Sequence, residues 1–135
     1  MNELSAPDGV VSKRSPFGVD ETVSRLIEAI QAFGATVFAV IDQAAEARKV
    51  GMSLRDTQLV IFGSPAGGTP IMDAVPLSAI DLPLKILVSA DDAGMVWMTY
   101  LDRNWLMTRY RLSSQLAAPL AAPGVLVAKV AGNAM

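Results

Sequence analysis

The residues best suited to contact a ligand lie in a segment rich in glycine and proline, Ser64-Pro65-Ala66-Gly67-Gly68-Thr69-Pro70. Glycines let a guest approach the backbone closely, and the hydroxyls of Ser64 and Thr69 can hydrogen-bond a phosphate or a carboxylate. The segment follows an apolar strand, as phosphate-binding loops do. It lacks the lysine and the spacing of a Walker loop, however, and it has no G-x-G-x-x-G pattern. A structural turn fixed by glycine and proline is therefore the alternative interpretation.

Asp81 is an acidic residue within an otherwise apolar stretch, residues 75–84, so its carboxylate must be solvated, capped or paired. One interpretation has it facing a pocket and accepting hydrogen bonds from amides of the segment 63–70. The other makes it a turn or capping residue near Pro83. We predict that any ligand lies between segments 63–70 and 80–83, with an aromatic ring as a wall. The predicted contact residues are Ser64, Gly67, Gly68, Thr69, Asp81 and Tyr100.

The absence of two residue types excludes much of catalytic chemistry. The sequence has no cysteine and no histidine, which removes disulfides, thiolate ligands and the commonest general base. The aspartates match no calcium-loop spacing, and Met95 and Met98 would face opposite sides of a strand. Ser113 and Ser114 have no histidine to activate them. We therefore expect no cofactor, no bound metal and no hydrolase activity.

Composition and charge place the chain in a broad class. Its 135 residues are 52% hydrophobic with a net charge of −2, which suits one domain spanning residues 1–135 with a flexible N-terminus over 1–9. No dense lysine and arginine stripe points to nucleic acid, and no apolar run points to a signal peptide or a membrane span. We expect a cytoplasmic location with no nucleic-acid or membrane partner.

The elements that must position these residues follow from hydrophobic periodicity. A helix is predicted over residues 20–33, capped by Asp20 and stopped by Gly34. Its apolar stripe consists of Val23, Leu26, Ile27, Ile30 and Phe33. Shorter helices are predicted over 43–50 after Asp42 and over 103–110 after Asp102.

Most of the predicted strands follow one another in the sequence. Those over 57–62, 84–90 and 95–101 adjoin or contain the predicted contact residues. The segment 35–41 is β-branched and apolar and is predicted to be buried on both faces. Asp91-Asp92-Ala93-Gly94 predicts a hairpin. The segment 113–135 is compatible with helix or strand. The order favours an α+β fold, a two-layer structure with a mostly antiparallel sheet and helices on one face. The predicted strands are 10–17, 35–41, 57–62, 84–90 and 95–101.

An ordered set of short segments resembles one known family. Together they are similar to the bacterial and archaeal domain-of-unknown-function family 302 across residues 17–112. The resemblance implies a β-α-β(4)-α domain of TATA-binding-protein-like topology, often dimeric, and it implies no activity. The segments are Asp20-Glu21-Thr22-Val23, Ile41-Asp42, Leu59-Val60-Ile61-Phe62-Gly63-Ser64-Pro65, Gly68-Thr69-Pro70, Ile80-Asp81-Leu82-Pro83-Leu84 and Gly94-x-Val96-Trp97-x-Thr99-Tyr100.

This chain departs from the family pattern at three places. The family has a histidine after the aspartate of the Ile-Asp segment, where this chain has Gln43, and another near Tyr110. It often has Asn-Pro where this chain has Ser64-Pro65. Any metal or acid–base step that relies on those histidines is therefore unavailable to this chain.

The sequence favours a non-catalytic homodimeric domain that binds a small molecule or a protein partner. High apolar content in a short chain, with a mean hydropathy of +0.40, supports the dimer because apolar surface beyond the core needs a cover. One alternative is an enzyme that uses Asp81 as a carboxylate base, with an anion held by the segment 63–70. The other is a structural or assembly module.

Overall fold

The computed structural model describes residues 6–132. The predicted flexible segment 1–9 therefore lies partly outside the described residues, and so do the last three residues of the segment 113–135. In chain order the elements are β1 (Val10–Ser15), α1 (Val19–Ala32), β2 (Thr36–Asp42), α2 (Gln43–Lys49), β3 (Thr57–Gly63), α3 (Pro65–Ala74), a first 3₁₀ helix (Pro76–Ile80), β4 (Leu84–Ala90), β5 (Val96–Leu101), α4 (Arg103–Tyr110), a second 3₁₀ helix (Ala118–Ala121) and α5 (Ala122–Gly132).

The strands form one five-stranded sheet in the order β1-β5-β4-β3-β2, and every neighbouring pair is antiparallel. β1 and β2 are the two edges. The register aligns Leu59 with Leu87 and Leu87 with Thr99, so these side chains share a face. This arrangement is the predicted α+β architecture, with the first strand and the first helix preceding a run of four strands.

The main hydrophobic core lies between one face of the sheet and helices α1 and α5. Side chains alternate along a strand, so every second residue of β3, β4 and β5 points to the helices. Both helices present aliphatic stripes to these strands. The buried residues of this first cluster include Val60, Phe62, Ile86, Val88 and Met98 from the strands, Leu26 and Ile30 from α1, and Leu126 and Val127 from α5.

A second hydrophobic cluster lies where α3, α4 and the second 3₁₀ helix meet. Its buried members are Ile71, Leu106, Leu112, Ala117 and Leu120. Leu84, at the start of β4, packs against both clusters. The two clusters are therefore joined at the first residue of β4.

The predicted capping of α1 by Asp20 is wrong. The helix begins at Val19 with Gly18 as the N-cap residue, which places Asp20 in the first turn. There its carboxylate accepts a hydrogen bond from Gln58 of β3 at 2.8 Å. The predicted stop at Gly34 is confirmed. The helix ends at Ala32 with Phe33 as the C-cap residue, and Gly34 follows with a φ of 87°.

The hairpin between β4 and β5 is confirmed, and Asp91 organises it. Its carboxylate accepts hydrogen bonds from the Trp97 indole and from the amides of Ala93 and Met95, each at 2.9 Å. These bonds, with the indole as the largest contribution, lower the pKa of Asp91 to about 2. Gly94 takes a φ of 82°, which a residue with a side chain rarely adopts.

Two other aspartates cap helices as predicted. Asp42 accepts from the Ala45 amide at 2.9 Å and opens α2. Asp102 accepts from the Trp105 amide at 3.1 Å and opens α4. These bonds satisfy amides that have no partner within the first helical turn.

Two other segments differ from expectation. β2 was expected to be buried on both faces, but it is an edge strand, and Phe38, Val40 and Ile41 are exposed. An apolar run alone does not reveal strand order, so an edge strand and a central strand look alike in sequence. The segment 63–70, expected to be a loop, contains the first half of α3, which begins with Pro65 at the first helical position.

We expect truncation of Leu26 to Ala to lower the free energy of unfolding by about 2–5 kcal/mol, because a fully buried leucine leaves a cavity in a packed core. Urea unfolding at neutral pH measures this. Ser24→Ala on the exposed side of the same helix is the control and should change stability by less than about 0.5 kcal/mol. Equal effects of the two variants would contradict the packing of α1 on the sheet.

Candidate functional site

The candidate site is an apolar cavity of about 540 Å³ between the two hydrophobic clusters. Phe62 of the first cluster and Leu120 of the second both line it, as does Leu84, which packs against both. Its walls come from four stretches of chain, within residues 33–38, 62–72, 82–84 and 118–125. The site therefore exists only when helix, strand and C-terminal segments are assembled together.

Small side chains account for the empty volume. Eight of the 21 residues that line the cavity are glycine or alanine. Gly67 of α3 lies so close to the second 3₁₀ helix that an added Cβ would be 2.9 Å from the Cβ of Pro119. The Pro119 side chain thus packs directly on the Gly67 backbone, and both residues line the cavity.

The cavity wall carries no charged side chain. Its hydroxyl groups belong to Ser64 and Thr69, both exposed. Ser64 is the N-cap residue of α3, but its side chain makes no capping hydrogen bond, so its hydroxyl is available to a guest or to solvent. The chemistry of the wall suits a neutral, mainly apolar molecule with one or two hydrogen-bonding groups.

Four of the six predicted contact residues come together in this cavity. Ser64, Gly67, Gly68 and Thr69 line it, and Leu82 and Pro83 bring the segment 80–83 to the opposite wall. The location between the two segments agrees with the geometry of the cavity. Whether these residues contact a ligand stays a prediction.

Asp81 does not belong to the cavity wall. Its carboxylate accepts a short hydrogen bond from the Tyr110 hydroxyl and forms an ion pair with Arg109 at 3.2 Å. It borders a separate recess of only about 10 Å³, the scale of one water molecule. The hydrogen bonds from amides of the segment 63–70, which one of the two interpretations of Asp81 required, are not formed, because the carboxylate is turned toward the end of α4.

Tyr100 also lies outside the cavity wall. Its ring packs on α5, where an added Cβ at Gly124 would be 3.2 Å from the tyrosine oxygen. Burial raises the pKa of the Tyr100 phenol, and the nearby Asp102 carboxylate raises it further. Since Ala122 and Val125 of α5 line the cavity, Tyr100 supports the helix that forms one wall.

Two parts of the wall were not predicted from the sequence, the C-terminal segment and the chain around β2. Phe33, Phe38, Met72, Val125 and the stretch 118–122 all contact the cavity. A signal was present in residues 117–124, which apart from Leu120 are alanine, proline and glycine, as are most residues of the segment 63–70. Two such small-residue stretches can approach each other closely.

The two positions where the family pattern has histidine lie on different helices, α2 and α4. Gln43 opens α2 and is exposed, whereas Tyr110 ends α4 and binds Asp81. Among residues 6–132, no group of three or more acidic, histidine or cysteine side chains could hold a metal ion.

A family model described as "Domain of unknown function DUF302" matches residues 11–122. The chain belongs to this family. A crystal structure of an uncharacterised conserved DUF302 protein from Bacillus stearothermophilus superposes on this DUF302 chain with a TM-score of 0.76. It covers 93% of this chain and 98% of the other at 16% identity, and it confirms the predicted α+β fold.

Curated relatives of this DUF302 chain carry the name of an ion channel. Proteins named fluoride-specific ion channel FluC 1 from Brucella suis and Brucella abortus are each 35% identical over 129 residues. The match covers 93% of this chain but only 51% and 48% of those two relatives. The DUF302 chain thus spans about half the length of the relatives it matches. Within the part that the structure describes, no helix has the length and apolar character needed to cross a bilayer.

Glycine-to-alanine variants test the contact between α3 and the second 3₁₀ helix. We expect Gly67→Ala to destabilise the DUF302 domain by about 1–3 kcal/mol, because the new methyl group would overlap a rigid proline. Gly68→Ala is the matched control. Its Cβ would meet only the Met72 methyl at 3.7 Å, and alanine favours helix by about 0.5–1 kcal/mol. Equal thermal stability of the two variants would contradict this packing.

Proposed function

We propose that this DUF302 domain is a non-catalytic binding domain that acts as a homodimer and takes a neutral, mainly apolar small molecule into the cavity. The observation that carries the proposal is the cavity itself, about 540 Å³ with an uncharged wall. Ligand sites in proteins commonly measure about 300–1,000 Å³ and are lined by apolar side chains with a few polar groups.

The wall favours a neutral guest over an anion. Burying a phosphate or a carboxylate is costly unless a cation or several donors compensate for lost hydration. No arginine or lysine lines the cavity, so the phosphate and carboxylate interpretation of Ser64 and Thr69 lacks a cation partner. Their hydroxyls suit a single neutral group, such as a hydroxyl or a carbonyl, at the end of an apolar body.

The position of Asp81 does not favour the enzymatic alternative. A carboxylate base must come within hydrogen-bonding distance of the reacting group. Asp81 is outside the cavity wall and is engaged by Tyr110 and Arg109, so it does not act jointly with the segment 63–70 on a molecule in the cavity. If no guest binds, the remaining alternative is a structural or assembly module.

Binding of Nile red, an uncharged apolar dye, tests the proposed site. We expect the wild-type protein to bind the dye with a blue-shifted emission. Gly68→Leu should weaken binding at least tenfold, because the new side chain fills part of the cavity from its wall.

Ala66→Leu is the matched control, since Ala66 is exposed on the same helix and does not line the cavity. It should bind Nile red as the wild type does. Equal weakening by the two leucine variants, or no dye binding by wild-type protein, would contradict the proposed function.

A second candidate function is action alongside a fluoride channel, within one protein or between separate chains. The supporting observation is that relatives 35% identical to this chain are named fluoride-specific ion channels and are about twice its length. In this proposal the domain serves the channel as an accessory unit.

Growth of the source organism in sodium fluoride tests the second candidate. Deletion of the gene for this chain should lower the fluoride concentration that stops growth, and the intact gene supplied in trans should restore it. Equal sodium chloride is the control for salt stress. Unchanged fluoride tolerance after deletion would contradict the candidate.

A further inference from the structure

Exposed apolar side chains are concentrated in one part of the described chain. Eleven large hydrophobic residues are exposed, and seven of them lie within residues 33–54. This stretch contains the edge strand β2, helix α2 and the return to β3. Three of the seven, Phe38, Val40 and Ile41, lie together on β2, and neighbouring exposed apolar side chains of this kind mark an interaction surface, whereas single ones are ordinary. The seven residues are Phe33, Phe38, Val40, Ile41, Val50, Met52 and Leu54.

The two edges of the sheet differ in how they are protected. The β1 edge carries Lys13 and Arg14, both exposed, and charges on an edge strand discourage pairing with another chain. In β2 the charged residue is Asp42, whose carboxylate is engaged in capping α2. The regular part of the β2 edge, residues 39–42, therefore exposes apolar side chains and outer backbone groups. It has no free charged side chain to discourage pairing with another strand.

The cavity opens beside the same edge. Phe33, Phe38 and Val125 line it, yet they are 55%, 51% and 53% exposed, so they form its mouth. A register shift between Val37 and Ala39 places Phe38 at a bulge, and bulges redirect side chains. The Phe38 ring leans over Gly63, 3.4 Å from where a Cβ would be. Phe33 and Phe38 thus belong both to the exposed apolar stretch and to the cavity mouth.

We propose that a second copy of this chain docks antiparallel along the β2 edge and closes the cavity mouth. A two-fold contact brings the same patch from both sides, so each apolar edge is covered by its own equivalent. A standard interface buries roughly 800 Å² per partner, so backbone and rim atoms along the edge must contribute beside the exposed apolar side chains. A bound peptide would cover the strand edge alone and leave the apolar residues after α2 in solvent.

Dimerisation and ligand binding are then linked. A copy over the mouth removes water from Phe33 and Phe38 and encloses a guest, so the dimer binds the guest more tightly than the monomer does. By mass action, the guest stabilises the dimer in return. This linkage rests on the proposed binding of a guest in the cavity, and the docking surface specifies how the homodimer of the proposed function would form.

Sedimentation at micromolar concentration without ligand tests the docking surface. Wild-type protein should sediment as a dimer, near twice 14.2 kDa. Val40→Lys should raise the dimer dissociation constant at least tenfold, because it places a charge on the edge. Ala39→Lys, which removes no large apolar group, is a second variant with the same expected result. Leu77→Lys is the matched control, since Leu77 is 81% exposed in the first 3₁₀ helix, and it should remain dimeric.

The outcomes separate the two proposals. A monomeric wild type would overturn the docking surface together with the homodimer of the proposed function. Dimers of both β2 variants as stable as wild type would overturn the docking surface alone. Monomeric β2 variants that bind Nile red as tightly as wild type would overturn the linkage and leave the cavity function intact. Monomeric variants with weaker dye binding, beside an unaffected Leu77→Lys, are the expected result. Absence of dye binding by a dimeric wild type would refute the linkage and the proposed function but not the docking surface.

Discussion

Packing of α1 and α5 against a single face of the antiparallel sheet is the interaction on which the other features depend. It buries Leu26 and Ile30 against Val60 and Phe62, and it fixes which side chains of every strand point inward. The strand order leaves β2 at an edge beside the end of α1. The start of β4 then joins this core to the second cluster, and the cavity lies at the junction.

Local chemistry made most elements predictable. The hairpin around Asp91 and the capping by Asp42 and Asp102 depend on residues close in sequence, and the structure contains them. The α1 stripe is also present from Val23 to Ile30, but its last predicted member, Phe33, lies beyond the helix and is exposed. The edge position of β2 was not predictable, because strand order is decided by contacts between distant segments. The first part of α3, within the segment 63–70, was missed because glycine and proline have low helix propensity, and tertiary packing at Gly67 outweighs it here.

The candidate site was half predictable for a similar reason. Small and hydroxyl residues over 64–69 indicate a place where something can approach the backbone, and they line the cavity. Asp81 attracted attention as a lone acid in an apolar stretch, but its partners, Tyr110 and Arg109, are almost thirty positions away. No local pattern reveals such a partner, nor the contribution of Val125 to the opposite wall.

The walls of the cavity are drawn from chain segments that are far apart in sequence, and this determines when a guest can be held. The first and last wall residues, Phe33 and Val125, are 92 positions apart in the sequence. Loss of α5 packing would remove one wall of the cavity together with part of the main core, so a guest can be held only while the C-terminal helix is docked. A bound guest would contact α5 as well as the other walls, so it would slow release of the C-terminal helix. The bound chain would therefore resist proteolysis near its end more than the empty chain does.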